Sequence, residues 1–377
     1  MGSAGVWIAG SYQSDYARNY AREGLEISDM VAEAVTGTLD DAGTAPEKVH
    51  AIHVGNAFGQ LFTGQGQLGA MPATMEPALW GKPAARHEAA CASGSIAILS
   101  AMADIEAGRY DCVLVIGVEQ ERNVPGTQAP QYLGAAAWIG HEGQDAKFMW
   151  PYMFSQLADE YDRRYGLDTR HLHAIAELNM RNAKANPLAQ TRNWAFGPGS
   201  FADDDTDNPI VEGRLRRTDC SQVTDGTAGL SLQAKFDRSH DQPYVFPHVR
   251  QVVEDAFRRA HIADVTKLDG IETHDCFSMS EYMAIDHFGI TGPGESWKAV
   301  ENGDLERDGA IPVNPSGGLI GVGHPVGASG VRMLRDAARQ VTGQAGDTQV
   351  NGARTFATLN IGGSLTTTVS FVVSRDD

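Results

Sequence analysis

Four short stretches carry residues able to do covalent chemistry together: "CASG" at 91–94, "HDCF" at 274–277, "GHPVG" at 323–327 and "NIGGS" at 360–364. The first offers one cysteine, Cys91, just ahead of a small-residue run that turns amphipathic. A thiol at a helix N-terminus meets partial positive charge and unsatisfied N–H groups, which favours its thiolate. His324, in the third stretch, can take the thiol proton. Backbone N–H groups at the helix start, and at the glycine-rich strand end around Gly362, can hold an oxyanion. A second thiol, Cys276 beside His274, can act as acid and base at a carbon centre. Together these groups describe acyl transfer from a thioester, then the making or breaking of a carbon–carbon bond.

Taken singly, the same residues admit plainer uses. Most free cysteines pack as small apolar side chains, and His324 could simply satisfy backbone groups in its glycine-rich loop. Cys276, next to Phe277, could be core. The glycines of "GLIGVGHPVG" do not make a dinucleotide fingerprint, because their spacing is G-x-G-x-x-x-G and Pro325 interrupts it. His171 and His173 stand two apart on an expected helix, so they diverge and make no metal site. Cys112 falls in an apolar run and reads as core, while Cys220 falls in a polar loop.

An internal repeat brings the four stretches together. Residues 33–59 and 254–278 each read as an amphipathic helix, a turn and a β-rich run, ending in "GNAF" and "HDCF". "CASGSIAILSAMADIEAG" then matches "GASGVRMLRDAARQVTG", each opening a helix on a shared "ASG". "CVLVIGVEQ" (112–120) matches "TFATLNIGGS" (355–364) as buried strands closing on Ile-Gly. Each half is therefore a βα-alternating unit on a mostly parallel sheet. Cys91 then occupies the position of Gly327, and the chemical groups share one sheet edge, where paired halves form a crevice. The expected boundaries are a first half at 1–119 with 220–245, an inserted segment at 120–219, and a second half at 246–377.

Composition narrows the function classes. The 377 residues are 42% hydrophobic and 21% charged, ordinary for a globular chain, with a formal net charge of −18. So acidic a chain is a poor partner for nucleic acid or an anionic membrane surface. Four dispersed cysteines suggest free thiols and a reducing compartment. With neither a basic leader nor a membrane-length apolar run, the expected location is the cytoplasm.

In this order the four stretches resemble the motifs of the thiolase family, over essentially the whole chain. The resemblance implies an α/β fold: two similar βα halves with packed five-stranded mixed sheets in α/β/α/β/α layers, plus an inserted loop domain. The "HDCF" form is similar to the sterol-carrier-protein-linked thiolases and related acetyl-CoA acetyltransferases. Asn360 stands where many thiolases have a catalytic cysteine, and the class implies that Cys276 replaces it. By the same resemblance, Cys91 is the acylated nucleophile and His324 activates it. His274 and His324 would bind the second thioester oxygen, and the N–H groups of Cys91 and Gly362 the acyl-enzyme oxyanion.

"QVTDGTAG" (222–229) resembles the family's turn back into the core, which makes Thr224, Asp225 and Gly226 candidate substrate contacts. Arg181 and Lys184 are candidate phosphate contacts. The implied substrates are coenzyme A thioesters, with no cofactor or metal, in the metabolism of lipids such as fatty-acid β-oxidation. A homodimer or tetramer is expected, with a small OB-fold protein as a further partner. The chain ends soon after its last strand, so no fused sterol-carrier domain is expected. Two rivals remain. One is a retro-aldolase acting on a coenzyme A-linked side chain, against which Cys91 argues. The other is a non-catalytic coenzyme A binder, against which Cys276 argues.

Overall fold

Ala51–Gly55 (β1) runs parallel between Ala84–His87 (β2) and Val113–Gly117 (β3) in the computed structural model, which describes residues 6–225, 242–363 and 365–375. Every residue of β1 is buried, as befits the centre of a parallel sheet covered on both faces. One cover is the helix Ile27–Asp41 (α1), which buries Ile27, Val31, Val35 and Leu39 at successive four-residue steps. The other is Ser93–Glu106 (α2), packed on β1 and β3.

The second half repeats this plan. Gly270–Thr273 (β4) lies parallel to Thr355–Gly362 (β5), which pairs antiparallel with Thr367–Ser374 (β6). The helix Val326–Val341 (α7) packs on β5 and β6, and Pro247–Arg259 (α5) packs on β6. Helices α2 and α7 pack on each other between the two sheets, giving the expected α/β/α/β/α layers. Glycine permits that contact: a Cβ on Gly94 would lie 2.7 Å from the Gly327 carbonyl oxygen.

Five strands per sheet were expected, and the described residues form three in each. In the second half, Ile311–Val313 runs beside β4 but makes one isolated bridge, Ile271 to Val313. Pro312 accepts from the Ile271 N–H at 2.9 Å but has no N–H of its own to extend a ladder. In the first half, residues 6–13 join no ladder.

Between the halves in sequence lie the helices Met149–Tyr165 (α3) and Thr169–Ala183 (α4). Both pack on Ser278–Phe288 (α6), the helix that follows "HDCF", whose every residue is buried. Phe154 and Phe277 stack at 4.6 Å between centroids. Among the described residues, no helix is long and apolar enough to cross a membrane.

Candidate active site

Cys91 sits on a tight turn between β2 and α2. Ala90 just before it is held at φ +49°, in the left-handed region that a residue with a Cβ seldom adopts. Ser93 ties this turn together: its Oγ accepts from the Ala89 N–H at 2.9 Å and donates to the Ala90 carbonyl at 2.6 Å. The Ala90 N–H in turn donates to Glu88 Oε1 at 2.7 Å. A backbone strained before a cysteine and pinned by two side chains points the thiol to one place.

The strand end of β5 closes on this turn. A Cβ on Gly362 would lie 2.3 Å from the Ala89 carbonyl oxygen, so only glycine fits there. The backbone N–H groups of Gly363 and of Cys91 itself favour the thiolate. Burial outweighs them, and together with the neighbouring Cys276 it pushes the Cys91 thiol well above the ordinary cysteine range. Burial thus opposes the helix-start effect on the thiol. Cys91 therefore needs a base.

His324 is placed to be one. It lies on the loop between the short helix Gly318–Val322 and α7, and is 1% exposed. Its Nδ1 is 2.7 Å from Ser329 Oγ, and that hydroxyl spends its only proton on the Pro325 carbonyl at 2.5 Å. Ser329 therefore accepts from an Nδ1–H, and His324 Nε2 carries a lone pair. Burial, with help from Arg332, pushes the His324 pKa down to about 3, so the ring stays neutral. Its backbone N–H donates to Thr224 Oγ1 at 3.0 Å.

His274 and Cys276 follow β4 directly. The His274 and His324 rings meet edge to face at 5.1 Å, and the Nε2 atom of each is buried without a partner among the described residues. Asp275, between them in sequence, accepts from the Leu319 and Ile320 N–H groups at 2.5 and 3.0 Å and from Asn179 Nδ2 at 2.9 Å. One carboxylate thus fixes "HDCF" against the loop that carries His324. The Cys276 Sγ lies 3.7 Å from Ser280 Oγ, and burial raises its thiol far above the usual range. Single ligand atoms of Cys91, His274 and His324 all lie within 4.8 Å of one another, so these three are also the side chains able to share a metal ion.

The halves are bolted together at the site by Glu119, a residue the sequence did not single out. Its carboxylate accepts from the N–H groups of Ala57, Phe58 and Gly327 and from Asn56 Nδ2, at 2.7 to 3.2 Å. Glu119 directly follows the "CVLVIGV" run, and an acidic residue closing a buried strand is the signal that could have found it.

The expected substrate contacts have other partners. Thr224 donates to Gln190 Oε1 at 2.6 Å while it accepts from His324. Asp225 accepts from the N–H groups of Tyr20, Glu121 and Arg122. Gly226 lies outside the described residues. Arg181 pairs with Glu306, and the Lys184 ammonium lies 5.6 Å from the Phe196 ring centre. His171 and His173 do diverge, toward Glu301 at 3.0 Å and Asp219 at 4.0 Å. All four cysteines are free, with Cys112 and Cys220 half-buried.

Comparison with known proteins decides the family. A family model described as "Thiolase, N-terminal domain" matches residues 6–195, and one described as "Thiolase C-terminal domain-like" matches 233–375. The chain belongs to the thiolase family. It is 31% identical to an acetyl-CoA acetyltransferase of Methanothermobacter thermautotrophicus over 93% of this chain and 95% of that protein. It is 26% identical to sterol carrier protein 2 of Gallus gallus, over 95% of this chain and 69% of that one. Its fold is similar to that of an acetyl-CoA acetyltransferase from Syntrophomonas wolfei, with TM-score 0.69, 15% identity and 98% of each chain covered. It is also similar in fold to a structure titled "Ltp2-ChsH2(DUF35) aldolase", with TM-score 0.73, 17% identity, and 97% and 96% covered.

Proposed function

We propose that this thiolase-family chain is an acyltransferase that works through an acyl-cysteine on Cys91, with coenzyme A thioesters as substrates. The observation that carries this is the meeting of a buried thiol with two buried imidazoles whose Nε2 atoms have no partner among the described residues. The names of the archaeal relatives, acetyl-CoA acetyltransferases, support the reaction class.

In the first half-reaction the Cys91 thiol gives its proton to His324 Nε2 as the sulfur attacks the thioester carbonyl carbon. The N–H groups of Cys91 and Gly362 receive the developing oxyanion. The carbon–sulfur bond to coenzyme A breaks, and coenzyme A leaves as a thiol with the proton from His324. In the condensing direction, the Cys276 thiol first passes its proton to His324 Nε2, and the resulting thiolate removes a proton from the carbon next to the second thioester carbonyl, whose oxygen faces His274. The carbanion attacks acyl-Cys91, and the Cys91 thiolate leaves and takes the proton back from His324.

Thiolysis runs these steps backward, with the Cys276 thiol protonating the departing carbanion. A thiol held protonated by burial suits that acid step. The outer edge of β2, which pairs only with β1 among the described residues, supports assembly of two first halves into a homodimer.

The test is thiolysis of short and medium 3-ketoacyl-coenzyme A substrates, followed by acetyl-coenzyme A release. Turnover by the wild type and its loss in Cys91→Ala are expected. No turnover on any chain length, with an intact fold, contradicts the proposal.

A further inference from the structure

Asn360 lies within β5, 1% exposed, with its side chain held from both ends. Ser95 Oγ–H donates to its Oδ1 at 2.8 Å, and its Nδ2 lies 2.9 Å from His274 Nδ1. An amide nitrogen only donates and an amide oxygen only accepts. With Nδ2 toward the ring, His274 Nδ1 must accept, and a neutral imidazole then carries its proton on Nε2.

A second observation agrees with the same tautomer. His324 Nε2 bears a lone pair, and the ligand atoms of Cys91, His274 and His324 crowd within 4.8 Å. An Nε2–H on His274 gives this cluster a donor beside the acceptor on His324, where two lone pairs would offer two acceptors and no donor. Gly330, in the second turn of α7, leaves room for the pair that orients the amide. A Cβ there would lie 2.3 Å from Ser95 Oγ and 2.6 Å from Asn360 Oδ1.

We infer that Asn360, oriented by Ser95, is a positioning residue that holds His274 as its Nε2–H tautomer. It thereby makes this ring the hydrogen-bond donor to the second thioester oxygen. Ser329 imposes the opposite tautomer on His324, so two rings of one residue type face one site as donor and base. The identity of the oxygen rests on the acyltransferase reading, while the tautomer does not. A carboxylate at position 360 would instead accept from an Nδ1–H and strip Nε2 of its proton. In serine proteases, exchanging Asp for Asn beside the catalytic histidine sets the wrong tautomer and costs about 10⁴ in rate.

The experiment is nitrogen NMR of protein labelled with ring-¹⁵N histidine, with the His274 signals assigned by their loss in His274→Gln. In the wild type the His274 proton is expected on Nε2, and in Asn360→Asp on Nδ1. Asn360→Asp should slow the carbon–carbon step about 10²- to 10³-fold, the cost of one oxyanion donor, while Cys91 still becomes acetylated. Ser95→Ala, which leaves β5 untouched, should give mixed tautomers and a smaller loss, and it stands in if Asn360→Asp does not fold. A wild-type His274 protonated on Nδ1 overturns the inference. So does full turnover by Asn360→Asp with its proton moved. Failure of Cys91 to become acetylated in the wild type would sink the acyltransferase reading, and the NMR result would still decide the tautomer.

Discussion

His274 and His324 meet edge to face at 5.1 Å, both fully buried, each with its Nδ1 engaged and its Nε2 without a partner among the described residues. Two neutral rings held this way offer hydrogen-bonding capacity to a substrate rather than to the protein. Four consequences can be measured.

The first is a flat pH profile for acylation. Burial holds His324 down to about 3, so its lone pair is present throughout ordinary pH and is lost only as pH falls toward that value. Cys91 is raised, so no thiolate builds up as pH rises through neutrality. The single-turnover rate of Cys91 acetylation, measured in a stopped-flow or quench apparatus from about pH 5 to 8, should vary little. A sigmoidal rise centred near 6.5, the ordinary histidine value, would show that His324 is not buried as a neutral base.

Ser329 sets the tautomer of that base. Ser329→Ala removes the Nδ1 partner and frees the ring to carry its proton on either nitrogen. Losing one such hydrogen bond, about 1.4 kcal/mol, should lower the acylation rate about 10-fold with little change in KM. An unchanged rate would mean that packing alone orients His324.

Cys276 should separate the two half-reactions. In Cys276→Ala, acetyl-coenzyme A should still acetylate Cys91, while 3-ketoacyl substrates are no longer formed or cleaved. Mass spectrometry of the acylated protein reads the first step and product release reads the second. Turnover that survives the change would remove Cys276 from the acid–base role.

Glu119 should matter for stability. Glu119→Ala leaves the N–H groups of Ala57, Phe58 and Gly327 buried without their acceptor. At the usual cost of a buried unsatisfied group, the loss is about 3 kcal/mol or more, visible as a lower urea midpoint. A midpoint like that of the wild type would mean that water or another group replaces the carboxylate.

Much of this site was legible in the sequence, because its parts sit in short stretches repeated in order. The shared "ASG" lies near the start of both α2 and α7, three residues further into α7, and the strand ends after β1 and β4 carry "GNAF" and "HDCF" as the repeat requires. What stayed hidden depends on contacts between distant positions. Ser95 and Asn360 are 265 residues apart, and no local pattern announces that one orients the other. Asp275 was not singled out in the sequence, yet it anchors the His324 loop. For Cys91, helix-end electrostatics is visible in a sequence, while the burial that opposes it is not. Among the described residues, 311–313 makes a single bridge around Pro312 rather than a ladder, a detail that depends on one proline and its partner strand.

The central claim is that Cys91 becomes the acyl carrier. Incubating the protein with acetyl-coenzyme A, digesting it and mapping adducts by mass spectrometry tests this directly. A single acetyl group on the Cys91 peptide, lost on adding coenzyme A, is the result expected. No adduct, or one on Cys276, Cys112 or Cys220 with Cys91 unmodified, would contradict it.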